Sequence, residues 1–249
     1  MKYTVIGDNF QIVNVELAAG EKMWSEAGSM VFKSANMGIK AEMREGLKSA
    51  FKRMFAGETF FVAEFTPTEG KGVVGFGSSL PGKIKVVELK AGQSIIAERG
   101  AFLAAESGVT LDTLLIKKPA AAIFGGEGFI MQKLTGPGTV FINIFGDLIN
   151  YDLKKGQVLE IAAGHVAAYE PSVKYDIEYI GDIKTAVFGG SGLMLAKLEG
   201  PGKVTLQTMT KDKFINEMGL ATKADCNKGG GGGGGANIKV GGFSFGLGR

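Results

Sequence analysis

The sequence predicts an all-β chain built from three tandem strand-rich modules, and three observations predict it. Glycine is abundant, at 40 of 249 residues, with only seven of them in the run Gly229 to Gly235. Glycine at that density serves turns, bulges and positive-φ positions, which suits many short strands better than long helices. The motif Leu-x-x-Gly-x7-Gly occurs at Leu17, Gly20 and Gly28, at Leu89, Gly92 and Gly100, and at Leu153, Gly156 and Gly164, with the same spacing each time. A second motif follows it: Phe124-Gly-Gly-Glu-Gly-Phe-Ile-Met-Gln-Lys-Leu134-Thr-Gly-Pro-Gly138 matches Phe188-Gly-Gly-Ser-Gly-Leu-Met-Leu-Ala-Lys-Leu198-Glu-Gly-Pro-Gly202. Phe124 and Phe188 stand 64 positions apart, as do Gly92 and Gly156. A fixed period this strict signals structural duplication.

The period sets modules of roughly 10–82, 83–146 and 147–209. The first is the loosest, with Gly57-Glu-Thr-Phe-Phe-Val-Ala-Glu-Phe65 followed by Thr-Pro-Thr-Glu-Gly70-Lys-Gly72. Within the modules, Lys83–Leu89 and Thr139–Phe145 are β-branched or aromatic runs, and Phe129–Leu134 and Leu193–Leu198 are further strands between glycine and proline punctuation. Leu-x-x-Gly suits a strand that ends in a tight turn, the glycine supplying φ > 0. Gly-Pro-Gly reads as a hairpin turn, with proline fixing φ beside permissive glycines. Many short strands with regular turns make a sandwich or a barrel-like roll.

Two segments break the pattern. Leu47, Ala50, Phe51, Met54 and Phe55 fall on one helical stripe, with Arg44, Lys48, Lys52 and Arg53 off it and Gly57 ending it. Thr210 to Met218 predicts a second short helix, capped by Thr210, with Asp212 in its first turn and Gly219 stopping it. The chain therefore divides into a body over 1–220 and a glycine-rich tail over 221–249. In that tail Ile238–Val240 and Phe243–Phe245 alternate apolar and polar, and they either close on the body as a strand or stay loose.

The body is long enough to bury a sizeable core without staples. The net charge of +3, with both signs interspersed, is too mild to argue for nucleic acid by itself. Cys226 is the single cysteine, so no internal disulfide forms, which fits a reducing compartment. The first residues lack the apolar core of a signal peptide, and no window approaches the ~18 continuous apolar residues of a membrane span. The expected compartment is the cytoplasm.

Gly-Glu-Gly-Phe129 leading into Leu134-Thr-Gly-Pro-Gly138 resembles the signature of the family named altered inheritance of mitochondria, member twenty-four. Arg53-Met-Phe-Ala-Gly57-Glu-Thr-Phe-Phe-Val resembles the same family's segment after its short helix. The resemblance covers about residues 1–210 and leaves the glycine-rich C-terminus outside. It implies a superfamily similar to the tryptophan RNA-binding attenuation protein, whose fold is a short double-stranded β-helix that assembles into rings. It brings no catalytic residues, no cofactor and no metal.

Other motifs read the same way. Gly70-Lys-Gly72-Val-Val-Gly75 spells G-x-G-x-x-G, but a dinucleotide site needs a helix after it, and Pro81 opposes one. A glycine-rich turn entering a strand is the reading. Gly125-Gly-Glu-Gly128 and Gly189-Gly-Ser-Gly192 could cradle a phosphate with backbone N–H groups, yet their place at repeated strand junctions favours turns. Double-stranded β-helices that hold a metal use clustered histidines, and His165 is the single histidine. It aligns with Ser29 and Ala101 of the other modules and reads as a structural or surface residue rather than a ligand. Cys226 has no second cysteine to resolve or ligate it.

The leading functional expectation is a non-enzymatic oligomeric scaffold or binding protein. RNA or single-stranded nucleic-acid binding is the first alternative, by superfamily analogy, with Lys83–Lys85 and Lys174–Tyr179 as the nearest approach to lysines interleaved with aromatics. Peripheral membrane association through Leu47–Phe55, aided by Phe243 and Phe245, is the second. The expected assembly is a closed homotrimer. Modules of about 64 residues bury their faces by stacking on neighbours, and a three-module chain leaves one complementary face open at each end. A further protein partner is compatible with this reading.

Overall fold

Alternating apolar residues set the strands. In Ile12–Leu17 the side chains of Val13, Val15 and Leu17 are buried and those between them are half-buried, the two-residue period of a strand with one face on a core. The computed structural model describes residues 1–26, 28–42, 62–78, 80–116, 129–180, 193–218, 237–240 and 243–246. Its contacts divide the chain into two units, Met1–Thr208 and Met209–Arg249.

Among its described residues the first unit is all β apart from two single 3-10 turns at Arg99–Ala101 and Ala163–His165. After β1 (Lys2–Ile6) come β2 (Ile12–Leu17), β3 (Met23–Glu26), β4 (Met30–Lys33), β5 (Met37–Glu42), β6 (Val62–Pro67) and β7 (Gly72–Gly77). Then follow β8 (Gly82–Leu89), β9 (Ser94–Glu98), β10 (Phe102–Glu106), β11 (Thr110–Ile116), β12 (Phe129–Thr135) and β13 (Gly138–Phe145). The last stretch holds β14 (Leu148–Leu153), β15 (Val158–Ala162), β16 (Val166–Tyr169), β17 (Lys174–Ile180), β18 (Leu193–Glu199) and β19 (Gly202–Gln207).

One antiparallel pairing scheme runs along this unit. Strand β7 lies between β2 and β4, β13 between β8 and β10, and β19 between β14 and β16. Strand β6 lies between β3 and β5, β12 between β9 and β11, and β18 between β15 and β17. Two further pairings, β10 with β3 and β16 with β9, fuse these triplets into two six-stranded sheets. The sheets run β1-β2-β7-β4, β5-β6-β3-β10-β13-β8, β11-β12-β9-β16-β19-β14 and β15-β18-β17.

Three apolar cores lie between successive sheets. Val13, Val15, Val74 and Phe76 of the first sheet meet Phe65, Leu103 and Phe141 of the second. Val140, Ile142 and Ile144 of the second meet Ile95, Leu111 and Leu134 of the third. Val166, Val204 and Leu206 of the third meet Ile177, Ala196 and Leu198 of the fourth. The two six-stranded sheets are thus covered on both faces, which is why β13 is a near-continuous apolar run buried from Thr139 to Phe145 rather than an alternating one. Trp24 of β3 stacks on Phe102 of β10 at 4.5 Å, and its indole N–H donates to the Glu106 carbonyl at 3.1 Å.

The Leu-x-x-Gly turns are as the sequence predicts. Gly20, Gly92 and Gly156 have φ of 86°, 79° and 80°. The turns close by Glu21 N–H to Ala18 O, Gln93 N–H to Lys90 O and Gln157 N–H to Lys154 O, at 3.0, 2.9 and 2.9 Å. A built Cβ would meet nothing at any of the three glycines, so backbone conformation alone demands glycine there. The Gly-Pro-Gly segments differ from expectation. They are not hairpin turns, because β12 and β13, and likewise β18 and β19, belong to different sheets. They are corners by which the chain crosses between sheets. Gly136 and Gly200 pass so close to the strand ends before them that a Cβ would sit 2.5 Å from Leu89 O and from Lys154 O.

The second unit holds α1 (Lys211–Glu217), where the Lys213 N–H donates to Thr210 Oγ1 at 3.2 Å, the N-cap expected of Thr210. It also holds β20 (Asn237–Val240) and β21 (Phe243–Gly246), which pair with each other, Ile238 opposite Phe245. The helix expected at Leu47–Phe55 and the Gly-Gly-x-Gly segments at 125–128 and 189–192 lie outside the described residues.

The ring stack at the β3–β10 seam gives a direct test. Phe102→Ala should cost about 3–5 kcal/mol, measured by urea denaturation with Trp24, the single tryptophan, as the fluorescent reporter. Ile149→Ala on exposed β14 should change stability far less.

Candidate functional site

Each sheet of the first unit ends in strands paired on one side only, and the β4 and β15 edges stand out among them because their counterparts, β10 and β16, and β3 and β9, are paired on both sides. Strand β4 pairs with β7 on one side, and β15 pairs with β18 on one side; among the described residues nothing pairs with their other sides. Burial shows what each edge lacks. In β10 and β16, which hold the corresponding place beside β13 and β19, Phe102 to Ala105 and Val166 to Tyr169 are all buried. In β4, Met30, Val31 and Phe32 are 38%, 58% and 41% exposed. In β9, Ile95 and Ala97 are buried, whereas every residue of β15 is half-buried or exposed, Val158 at 46%. Large apolar side chains and unpaired backbone groups on one edge make a template for another strand.

The residues that the sequence brings forward are distributed elsewhere. Gly70 is a turn residue with φ of 56°, and Gly72 to Gly75 enter β7; no phosphate-binding helix follows. The His165 ring meets the Gln207 carbonyl through Nδ1 at 2.7 Å, while the Gln207 side chain donates to Gly164 O at 2.9 Å and accepts from the Phe145 N–H at 3.2 Å. His165 therefore ties the 3-10 turn before β16 to the end of β19. Among the described residues no group of three His, Cys, Asp or Glu side chains is gathered as a metal site needs. Cys226 lies outside them.

The lysines considered for nucleic acid each have a partner within the protein. Lys83 donates to Asp8 O at 2.7 Å, Lys85 to Asn150 Oδ1 at 2.9 Å, and Lys174 pairs with Glu199 at 2.9 Å. Burial, with help from nearby Lys203, pushes the Lys85 ammonium below its ordinary range against the pull of Glu170. The Tyr175 ring stacks face to face on Tyr169 at 5.2 Å and 3°, so that face is taken before any base arrives. Burial raises the Tyr169 hydroxyl to about 12 and raises Tyr175 further, with the Tyr169 and Glu98 charges adding to the second. No described helix is long and apolar enough to cross a membrane. Side chains of β20 and β21, including Phe243 and Phe245, lie outside the description.

Sequence reasoning did not single out Met30–Lys33 or Val158–Ala162. The available signal was the alignment of Met30-Val-Phe32 with Phe102-Leu-Ala104 and Val166-Ala-Ala168, where bulky residues replace two alanines at the end of the series.

With this geometry in place, comparison with known proteins is informative. The family model described as mitochondrial biogenesis AIM24 matches residues 3–209. The chain belongs to the AIM24 family. An uncharacterized protein of Streptococcus pyogenes serotype M6 is 26% identical over 227 residues, covering 88% of this chain and 90% of that one. The X-ray crystal structure of a Streptococcus pyogenes protein superimposes with a TM-score of 0.71 at 21% identity, covering 87% of this chain and 97% of its own. That likeness is one of fold, and it spans nearly the whole of the solved protein.

The stacked tyrosines carry a pH signature. A hydroxyl whose pKa is raised by folding stabilises the folded state below the unfolded value of ~10 and loses that contribution as pH rises through the folded value. Denaturation between pH 9 and 12 should show stability falling, with Tyr169 accounting for on the order of 2 kcal/mol by about pH 12. Tyr169→Phe should flatten that slope relative to wild type.

Proposed function

We propose that this AIM24-family chain is a non-enzymatic scaffold that works as a homo-oligomer, each chain contributing three tandem modules of a double-stranded β-helix similar to that of the tryptophan RNA-binding attenuation protein. The observation that carries the reading is the pairing scheme itself. Successive stretches of the chain are joined by one kind of contact, β10 on β3 and β16 on β9. The β4 end then offers one half of that contact and the β15 end the other.

Two complementary halves on one chain make a heterologous, head-to-tail contact, which closes into a ring if the rotation allows and otherwise grows as a filament. A closed homotrimer of nine modules is the assembly proposed, in line with the ring-forming superfamily that the chain resembles. A single histidine and a single cysteine in the whole sequence support a role in binding and organisation more than in proton or metal chemistry. The lone Cys226 also supports the cytoplasm as its setting.

Light scattering coupled to size exclusion tests the reading. At micromolar concentration the expected mass is three times the 26.1 kDa of the chain. A monomer refutes the assembly, and an open, concentration-dependent polymer refutes closure while keeping the head-to-tail contact.

A further inference from the structure

The two seams inside the chain have a shared register. Against β3, Ala104 lies opposite Ser25, Ala105 opposite Trp24 and Glu106 opposite Met23. Against β9, Ala168 lies opposite Ala97 and Tyr169 opposite Ile96. Strands β4, β10 and β16 align by a common irregularity, since each shifts register against its inner partner at the same step, between Met30 and Phe32, Phe102 and Ala104, and Val166 and Ala168. That equates Phe32 with Ala104 and Ala168, and Lys33 with Ala105 and Tyr169. Strands β3, β9 and β15 align by the turn before them: Ser25, Ala97 and Ile161 each follow Gly20, Gly92 and Gly156 by the same interval. They also hold the same place against β6, β12 and β18, opposite Ala63, Gln132 and Ala196.

We infer that β15 of one copy adds antiparallel to the β4 edge of a second copy, with Ile161 opposite Phe32 and Glu160 opposite Lys33. This rests on the oligomeric reading above and names the surface that makes it. The product is a seven-stranded sheet, β17-β18-β15 of one copy continued by β4-β7-β2-β1 of the second. The chemistry of the two edges fits this register. Lys33 is the one charged residue of β4 and Glu160 the one charged residue of β15, and the register sets them directly across from each other, where opposite charges stabilise a strand pair. Beside them an aromatic ring faces a β-branched side chain, another favourable cross-strand combination. Pairing β4 with a second β4, or β15 with a second β15, offers each charge no opposite partner. The addition also covers Met30 and Val31, whose counterparts at the inner seams, Phe102 and Leu103 in β10 and Val166 and Ala167 in β16, are buried.

The deciding experiment is a cross-link between unlike chains. In a Cys226→Ser background, chains carrying Phe32→Cys are co-expressed with chains carrying Ile161→Cys and treated with a short thiol cross-linker. A covalent dimer is expected from the mixture and from neither variant alone. A second measurement uses charge. Lys33→Glu or Glu160→Lys alone should shift the light-scattering mass toward monomer, and both together in one chain should restore the oligomer. An oligomer that yields no mixed cross-link and ignores all the charge variants overturns this pairing while leaving the oligomeric reading intact. A wild-type chain that is monomeric at micromolar concentration overturns both.

Discussion

The seams β3–β10 and β9–β16 are the contacts on which the rest of the first unit depends. Each joins two three-stranded pieces into one sheet, and each sheet then serves two cores at once. The middle of β13 makes this visible, since Val140, Ile142 and Ile144 face one core and Phe141 the other. A strand buried on both faces has no solvent side to fill with polar residues, so its sequence is mostly apolar, with Thr139 and Asn143 as its buried polar exceptions. Loss of a seam would open two cores together, because the strands that line one core are paired to strands that line the next.

Sharing a sheet between two cores places a strict demand on the connections. The chain leaves one sheet and enters another at each Gly-Pro-Gly corner, and the corner packs against the end of the strand that opened the stretch. Gly136 against Leu89 and Gly200 against Lys154 leave no room for a side chain. The Leu-x-x-Gly turns meet a different demand, a positive φ in open surroundings. The two glycine motifs of the sequence thus answer two different physical needs, close backbone approach in one and backbone conformation in the other. The same architecture produces its own incompleteness: at each end it leaves a strand, β4 or β15, paired on one side where its counterparts are paired on both.

Much of this was legible in the sequence. Periodic leucine and glycine located the strands and turns because both obey local rules, burial on a two-residue period and the steric freedom of glycine. Thr210 announced its helix for the same reason. The Gly-Pro-Gly segments misled, because proline and glycine describe a sharp change of direction without saying whether the next strand pairs with the last one. The edges formed by β4 and β15, with Phe32, Lys33, Glu160 and Ile161 on them, were not legible, since an exposed edge and a buried one are both written largely in apolar residues.

The sequence by itself determined the all-β class, the positions of the turns and the family to which the chain belongs, because each of these follows from local spacing and residue type. Only the tertiary structure decided which strands share a sheet, that two sheets are covered on both faces, and that β4 and β15 are edge strands while β10 and β16, and β3 and β9, are paired on both sides. Pairing between strands far apart in the chain depends on which edges meet once the cores have closed, and no local pattern of residues encodes that choice.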